Sequence, residues 1–275
     1  MLICGQFRFD LARPLVMGIV NVTPDSFSDG GLHRQRDAAI AHARQLIAEG
    51  ADILDIGGES TRPGAAPVGV REELDRVLPV IEGLQGLSVA ISIDTFKPEV
   101  MKQAIAAGVH MVNDINALLD ASAMNAVAAS NVAVCLMHKQ GIPQTMQLLP
   151  EYHDVVAEVG NFLHTRIESV EAAGIARQRI VIDPGFGFGK SLEHNLALLR
   201  ELNKLTELGV PVLAGLSRKS MLGALTGHGV DQRMPASIAA ALIAVQRGAS
   251  IVRVHDVRAT VDALKIWNAI NGEIV

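Results

Sequence analysis

Acidic and amide side chains stand at the ends of several short apolar runs in this chain of 275 residues. Asp94 ends the run AISID, Asn113 and Asp114 end HMVND, and Asp183 ends IVID. A carboxylate at the end of a buried strand needs hydrogen-bond donors or a cation, because a buried charge without a partner is costly. Three partners meet that need: a metal ion, a flat ligand that presents a row of N–H groups, or salt bridges to neighbouring helices.

The spacing of these residues favours the flat ligand over the metal ion. No set of His, Asp and Glu residues has the spacing of a zinc site, and Asn113 is a poor zinc ligand. Salt bridges explain any single acid equally well, but they explain several acids at equivalent strand ends less well. Acids that share one site also raise one another's pKa values unless cations or N–H donors lie between them.

Cationic side chains follow other apolar runs and suit an anionic ligand. The segment SRKS, residues 217–220, follows PVLAGL and opens a predicted helix, where backbone N–H groups favour an anion. Arg253 and His255 belong to the segment RVHD, while Thr61 and Arg62 follow another apolar run. The sequence therefore predicts an anion site of the kind that (β/α)₈ barrels use for phosphate.

The glycine-rich segment DPGFGFGKS, residues 183–191, is similar to two nucleotide-binding motifs without matching either. A P-loop requires G-x-x-x-x-G-K-[ST], and here Pro184 stands at its first position. The dinucleotide motif requires G-x-G-x-x-G, whereas this segment reads G-x-G-x-G. A tight turn that needs its glycines is the simpler interpretation. No pair of nucleophile and base stands out either, which favours charge stabilisation and positioning over covalent catalysis.

Composition bounds the class of protein. Hydrophobic residues make up 49% of the chain and aromatic residues 3%, so the core must consist of Ala, Val, Ile and Leu. A net charge of −5 without a long basic run argues against nucleic acid as a partner. Only Cys4 and Cys135 are present, which predicts a reducing, cytoplasmic location. We expect no secretory signal and no membrane span, since the longest apolar stretch is residues 238–245.

Strands and helices alternate along the chain. The predicted strands are residues 15–20, 53–57, 89–94, 110–115, 132–137, 180–183, 212–215 and 251–254. The predicted helices are residues 37–50, 72–84, 98–108, 121–129, 151–173, 192–208, 217–225, 235–247 and 258–269. Pro79 should kink or interrupt the second of these helices.

This alternation favours one α/β domain over residues 1–275, a (β/α)₈ TIM barrel preceded by a short N-terminal β-hairpin. An open, doubly wound sheet is the alternative, because parallel strands in this number do not prove closure. In a closed barrel the carboxyl ends of all strands meet on one face, which is where such barrels perform chemistry.

Eight segments in chain order resemble the bacterial dihydropteroate synthase family: GIVNVTPDSFSDGG, DIGGESTRPGA, ISIDT, VNDI, LMH, IDPGFGFGK, SRKS and VRVHD. The resemblance covers nearly the whole chain. It implies a TIM-barrel enzyme, commonly a homodimer, that joins 6-hydroxymethyl-7,8-dihydropterin diphosphate to p-aminobenzoate with the help of Mg²⁺. Such an enzyme serves folate biosynthesis and is the target of sulfonamides.

The resemblance also implies roles for individual residues. The catalytic residues would be Asp94, Asp183 and Lys219. The pterin would bind to Asp94, Asn113, Met137, Asp183, Phe188, Gly215 and Lys219. The diphosphate would bind to Asn21, Thr61, Arg62, Arg253 and His255, with Mg²⁺ bridging Asn21 and Asp29. The p-aminobenzoate would bind to Phe27, Pro63, Phe188 and Ser220.

The mechanism that the resemblance implies is dissociative: diphosphate leaves first, and nearby carboxylates stabilise the cation that remains. One rival is a corrinoid-linked methyltetrahydrofolate methyltransferase, which shares a pterin-binding barrel. It has no use for Arg62, Arg253 and His255, so their presence disfavours it. A catalytically inert paralogue that only binds pterin is the rival from another class; loss of motif residues would mark it, and no motif residue is lost.

Overall fold

A computed structural model of the chain describes residues 1–23, 32–60, 66–141, 145–148 and 150–271. The strands in these ranges are β1 (Leu2–Cys4), β2 (Phe7–Phe9), β3 (Leu15–Asn21), β4 (Ile53–Gly57), β5 (Ala90–Asp94), β6 (Met111–Asp114), β7 (Ala133–Met137), β8 (Ile180–Asp183), β9 (Leu213–Ala214) and β10 (Ile251–Val254). The helices are α1 (Leu32–Ala48), α2 (Val70–Gly83), α3 (Pro98–Ala106), α4 (Ala121–Ala128), α5 (Val155–Ala172), α6 (Leu192–Arg200), α7 (Asn203–Thr206), α8 (Ser220–Thr226), α9 (Met234–Gln246) and α10 (Val257–Ile270).

The strands β3 to β10 form one parallel sheet that closes into a barrel. Their order around the sheet is β8-β7-β6-β5-β4-β3-β10-β9, so strands that follow one another along the chain are neighbours. A parallel bridge between Ile182 and Val212 joins β8 to β9, and the Ile182 amide donates to the Pro211 carbonyl at 3.0 Å. The predicted TIM barrel is confirmed, and the open doubly wound sheet is wrong.

Apolar side chains fill the barrel at the amino ends of its strands. Side chains alternate in direction along a strand, so residues two apart point to the same side of the sheet. The inner cluster consists of Leu15, Met17, Ile53, Ala90, Met111, Ala133, Cys135, Val181, Leu213 and Ile251. The antiparallel hairpin β1–β2 covers this end of the barrel, because Leu2 and Cys4 are fully buried in the same cluster. Both cysteines are free and buried.

A second and larger core lies between the sheet and the surrounding helices. It takes the strand residues of opposite direction, such as Leu54 and Ile56 of β4, and packs them against helix residues such as Val77 and Ile81 of α2. All residues of β4 and β7 are therefore buried, as expected for strands that are covered on both faces. Of the helices that the structure describes, none is long and apolar enough to span a membrane.

The observed helices differ from the predicted ones in several details. The helix predicted over residues 192–208 is broken into α6 and α7, although Leu202 and Leu205 continue its buried face across the break. The helix predicted from residue 151 begins at Val155, because the Asp154 side chain accepts from the first free backbone N–H groups. Pro79 lies inside α2 without interrupting it, and the kink stays a prediction.

Candidate active site

The carboxyl ends of the barrel strands form an open face, the mouth of the barrel, where polar side chains replace the apolar ones inside. Asp55 lies two residues beyond Ile53 on β4, and Asp183 lies two residues beyond Val181 on β8. Strand pairing sets Asp94 of β5 next to Asn113 of β6. The structure thus brings together residues that are far apart in the chain, as the parallel strand ends predict.

Arg253 is held at the centre of this face by two carboxylates. Its Nε lies 2.6 Å from Oδ2 of Asp55, and its Nη2 lies 2.7 Å from Oδ2 of Asp94. Asn113 donates from Nδ2 to the same Asp55 oxygen at 2.9 Å. Burial disfavours the charged guanidinium, but the two carboxylates outweigh it and raise the pKa of Arg253. Arg253 therefore points into the mouth, as predicted, and neutralises two acids there.

The pKa values of two acids of the mouth, Asp94 and Asp183, are shifted in favour of the neutral forms. Burial raises the pKa of Asp94 from 3.8 to about 7; Arg253 opposes this shift and the charge of Asp55 adds to it. Burial also raises the pKa of Asp183, opposed first by the hydrogen bond from the Gly185 amide to Oδ1 at 2.7 Å and then by Lys219. Strongly shifted groups in a cleft are typical of functional sites.

The sequence did not single out Asp55, which accepts hydrogen bonds from both Arg253 and Asn113 in the structure. Its side chain is fully buried, and Oδ1 has no hydrogen-bond partner among the described residues. A buried carboxylate oxygen in this condition is suited to accept an N–H group of a ligand. The available signal was a charged residue inside the otherwise apolar run ILDIG, two positions from Ile53.

Lys219 and Phe188 form the wall beside Asp183. The ammonium of Lys219 donates to the Phe186 carbonyl and lies 4.2 Å from the centroid of the Phe188 ring. Burial lowers the pKa of Lys219 from 10.5 to about 8, and the charge of Asp183 opposes the change. A flat ligand bound between Phe188 and the acids would contact both the apolar face of the Phe188 ring and the ammonium of Lys219.

Other predicted pterin residues lie around the same wall. Met137 ends β7 beside Asp183 in register and is 4% exposed. A side chain at Gly215 would put its Cβ 3.9 Å from Oδ2 of Asp183 and 4.0 Å from Cβ of Arg253. A glycine there leaves room for a ligand next to Asp183.

A pair of side chains that the sequence did not suggest lies at the edge of the mouth formed by the chain after β9 and β10. Oγ of Ser217 is 3.0 Å from Nδ1 of His255, although 38 positions separate the two residues. The same Oγ accepts from the His255 backbone N–H at 3.2 Å. Asp256 is bound by Arg218 at 2.6 Å, so Arg218 is part of an ion pair at this edge.

The remaining predicted residues divide into described and undescribed positions. Asn21 ends β3 with a half-buried side chain, and the exposed Ser220 begins α8. Phe27, Asp29, Thr61, Arg62 and Pro63 lie outside the described residues. Among the residues that are described, no group of three or more His, Cys, Asp and Glu side chains could hold a metal ion. Asn21 is the predicted magnesium ligand that can be assessed, and its amide oxygen is of a type that Mg²⁺ accepts.

The segment that resembled a P-loop has a different structure. Lys190 is 2% exposed and donates to backbone carbonyls of the protein, including those of Gly185 and Phe188 at 3.0 Å. A P-loop lysine instead reaches outward to the phosphates of a nucleotide. This orientation of Lys190 excludes the P-loop interpretation of the segment.

Comparison with known proteins identifies related chains. A family model described as pterin binding enzyme matches residues 17–255. The chain is 51% identical over 261 residues to the dihydropteroate synthase of Escherichia coli (strain K12), which covers 94% of this chain and 93% of that protein. It is 54% identical over 273 residues to the dihydropteroate synthase of Neisseria meningitidis serogroup B (strain ATCC BAA-335 / MC58), which covers 97% of this chain and 96% of that protein.

Solved structures resemble the fold closely. The Xanthomonas albilineans dihydropteroate synthase with 4-aminobenzoic acid has a TM-score of 0.91 and 58% identity, covering 96% of this chain and 95% of that one. The same protein in complex with 7,8-dihydropteroate has a TM-score of 0.87 and 55% identity, with the same coverage. The Yersinia pestis dihydropteroate synthase with a sulfonamide drug complex has a TM-score of 0.93 and 49% identity, covering 98% of this chain and 99% of that one.

Proposed function

Because the chain belongs to the dihydropteroate synthase family of pterin-binding enzymes, we propose that it condenses 6-hydroxymethyl-7,8-dihydropterin diphosphate with p-aminobenzoate to 7,8-dihydropteroate and diphosphate in folate biosynthesis. The observation that carries the proposal is the pair of buried acceptors Asp55 and Asp183, with the half-buried Asp94 beside them, next to Lys219. The amino and ring N–H groups along one edge of a pterin need such acceptors, and its carbonyl needs a donor.

Asp183 and Asp55 supply the acceptors for that edge. Oδ1 of Asp183 already accepts from Gly185, which leaves Oδ2 on the side of Gly215 for the ligand. Asp94 and Asn113 stand beside them, and Lys219 donates to the pterin carbonyl. Met137 and Phe188 pack against the ring. Hydrogen bonds to charged groups in a site shielded from water contribute about 1.5–3 kcal/mol each.

The anionic end of the substrate lies toward Arg253 and His255. In this proposal Asn21, Thr61 and Arg62 complete the diphosphate site. Ser217 contacts both Nδ1 and the backbone N–H of His255 and so orients the imidazole that binds the phosphate. Mg²⁺, held by Asn21 and Asp29, would neutralise charge on the leaving diphosphate.

The reaction follows a dissociative course. Diphosphate departs first, the positive charge spreads from the exocyclic methylene into the pterin, and the carboxylates of Asp94 and Asp183 stabilise it. The amine of p-aminobenzoate is neutral at pH 7 and attacks without a strong base. Ser220 takes the carboxylate of p-aminobenzoate at the start of α8, while Phe27, Pro63 and Phe188 hold its ring. A normal secondary deuterium isotope effect at the methylene would support this course, and its absence would contradict it.

The protein acts as a single-domain homodimer in a reducing, cytoplasmic environment. Two free, buried cysteines favour that environment. Packed elements at one side of the barrel carry large exposed apolar side chains, which favours a second copy of the chain there. They are Leu225, Val230, Met234, Ile243, Ile266 and Ile270 on or between α8, α9 and α10. Sedimentation equilibrium tests the dimer; a monomer at micromolar concentration would contradict it.

The decisive experiment measures diphosphate release. We expect release that requires pterin diphosphate, p-aminobenzoate and Mg²⁺ together, and that a sulfonamide inhibits in competition with p-aminobenzoate. Reactions that lack one substrate are the controls. Release that does not depend on p-aminobenzoate would indicate a hydrolase, and binding of pterin without any release would indicate an inert paralogue.

A further inference from the structure

The ammonium group of Lys190 is buried among acceptors that belong to the protein itself. Its Nζ lies 3.0 Å from Nδ1 of His138 and donates to the carbonyls of Gly185 and Phe188 at 3.0 Å and of His138 at 3.4 Å. Burial lowers the pKa of Lys190 from 10.5 to about 7, with Asp183 opposing the change. Burial and the charge of Lys190 lower the pKa of His138 to about 3, so His138 is neutral and Nδ1 can accept.

The chain from Gly185 to Lys190 leads from β8 to α6 without regular hydrogen bonding, and side chains supply its donors instead. We call this segment the β8–α6 loop. Most of its residues are buried, so its carbonyls need partners within the protein. Nζ of Lys190 donates to the carbonyls of Gly185 and Phe188, and Nζ of Lys219 donates to that of Phe186. The carbonyls of Gly187, Gly189 and Lys190 accept from Nε2 of Gln147, the hydroxyl of Tyr152 and Nδ2 of Asn195, respectively.

The glycines of the loop allow it to lie directly on the chain that follows β7. Gly185 and Gly189 have positive φ angles of 70° and 62°. A Cβ at Gly185 would collide with the carbonyl oxygen of His138, and one at Gly189 with that of Gln140. The backbone of the β8–α6 loop therefore packs directly on the backbone of residues 138–140. The ammonium of Lys190 contacts both segments.

Three groups of the proposed pterin site depend on this loop. The Gly185 amide donates to Oδ1 of Asp183, and the Phe186 carbonyl accepts from Lys219. Phe188 presents its ring to Lys219, with the ammonium 4.2 Å from the ring centroid. A displacement of the loop would move the acceptor, the donor and the apolar wall of the site together.

We propose that Lys190 is a positioning residue: by joining the β8–α6 loop to His138, its ammonium holds Phe188, Lys219 and Asp183 in the arrangement that binds the pterin. The inference rests on the proposed function and adds to it a residue that does not touch the substrate. The lysine of the glycine-rich segment thus acts on the protein's own carbonyls, in place of the phosphates that its sequence motif suggested.

The test replaces Lys190 by a residue of similar length without charge. For Lys190→Met we expect the dissociation constant of free 6-hydroxymethylpterin, measured by calorimetry, to rise about tenfold or more, because the hydrogen bonds of Nζ that order the site are lost. We also expect faster hydrogen exchange at the amides of Gly187 and Phe188. In the unaltered protein these amides donate to Oδ1 of Asn195 and to the carbonyl of Gly185, respectively. The exchange of amides in β4 and β5 should not change.

Lys139→Met is the matched control, because Lys139 is a half-buried lysine on the neighbouring segment that interacts with Asp114 instead of the loop. Its pterin dissociation constant should change by less than about twofold. Unchanged pterin affinity in a folded Lys190→Met protein, or a loss equal to that of Lys139→Met, would overturn the inference.

His138→Phe provides a second test if Lys190→Met does not fold. This change keeps a ring at the position and removes Nδ1, which lies 3.0 Å from Nζ of Lys190. We expect pterin affinity to fall about threefold, with faster exchange at the same two amides; no change in either would contradict the inference. If the wild-type protein binds no pterin, the proposed function fails, and amide exchange in the Lys190 variant still decides whether Lys190 holds the loop.

Discussion

The two ends of the barrel interior are built on the same strands and have opposite chemistry. At the amino end, the inward residues are apolar and the hairpin β1–β2 covers them. On four of these strands, the inward residue two positions further along is polar or charged. The pairs are Ile53 and Asp55, Met111 and Asn113, Val181 and Asp183, and Ile251 and Arg253.

The difference shows how stability and function divide within one barrel. The amino end buries apolar area, which is the dominant favourable contribution to folding. At the mouth, burial shifts Asp94 and Asp183 toward their neutral forms and lowers the pKa of Lys219 to about 8, so each charge is less favourable there than in water. Charged groups with pKa values shifted in this way are typical of a site where a ligand completes their hydrogen bonds.

Removing the charge of Arg253 should produce the largest loss of stability among these variants. Arg253→Met leaves the buried carboxylates of Asp55 and Asp94 without their partner. We expect the free energy of unfolding in urea to fall by about 4 kcal/mol. Adding Asp55→Asn should restore part of it, because the cause is the uncompensated charge. If the single and double variants are equally unstable, Arg253 contributes by packing instead.

A cavity at the amino end should cost somewhat less stability and leave the site intact. Ile53→Ala removes three carbons from a fully buried side chain, so we expect the free energy of unfolding to fall by about 3 kcal/mol. Ile53→Val should cost about 1 kcal/mol. Pterin affinity of both folded variants should match the wild type. Weakened pterin binding in Ile53→Ala would show that the two ends are coupled.

Asp183→Asn should have the reverse effect of Ile53→Ala: it should weaken pterin binding and leave the free energy of unfolding nearly unchanged. It replaces a charged acceptor by a neutral one of the same shape, and we expect pterin binding to weaken by about 2 kcal/mol in calorimetry. Because burial raises the pKa of Asp183, losing its charge should leave the stability nearly unchanged. Asp120→Asn, at the N-terminus of α4, is the control and should not affect pterin binding. Near wild-type affinity of Asp183→Asn would refute its role.

Per pH unit, the dependence of stability on pH should be the smallest of these effects. The pKa of Asp94 rises from 3.8 to about 7 on folding, so the folded protein binds this proton more tightly than the unfolded chain. Stability should therefore decrease as pH rises from about 4 to about 7, by at most about 1.4 kcal/mol per pH unit. The slope should be less steep in Asp94→Asn. It should not vanish, because the pKa of Asp114 is also raised, to about 6. Identical slopes in the two proteins would exclude Asp94 as the cause.

Much of the fold follows from local patterns. Apolar runs that end in polar residues predict buried parallel strands, and the stretches between them have the periodicity of helices, so a barrel with its chemistry at the carboxyl ends could be inferred. Asp94, Asn113 and Asp183 were found because each ends such a run. The break between α6 and α7 escaped this reasoning, since the buried face of Leu202 and Leu205 continues across it.

The partners of the charged residues were decided only by the tertiary structure. Arg253 binds Asp55 and Asp94 across separations of 198 and 159 residues, which no local pattern specifies. Lys190 turns inward to His138, and Ser217 meets His255, because neighbouring strands bring their loops together. The sequence determines which face of each strand is buried, since side chains alternate; closure of the barrel determines which charges meet, since it sets the distances between strand ends.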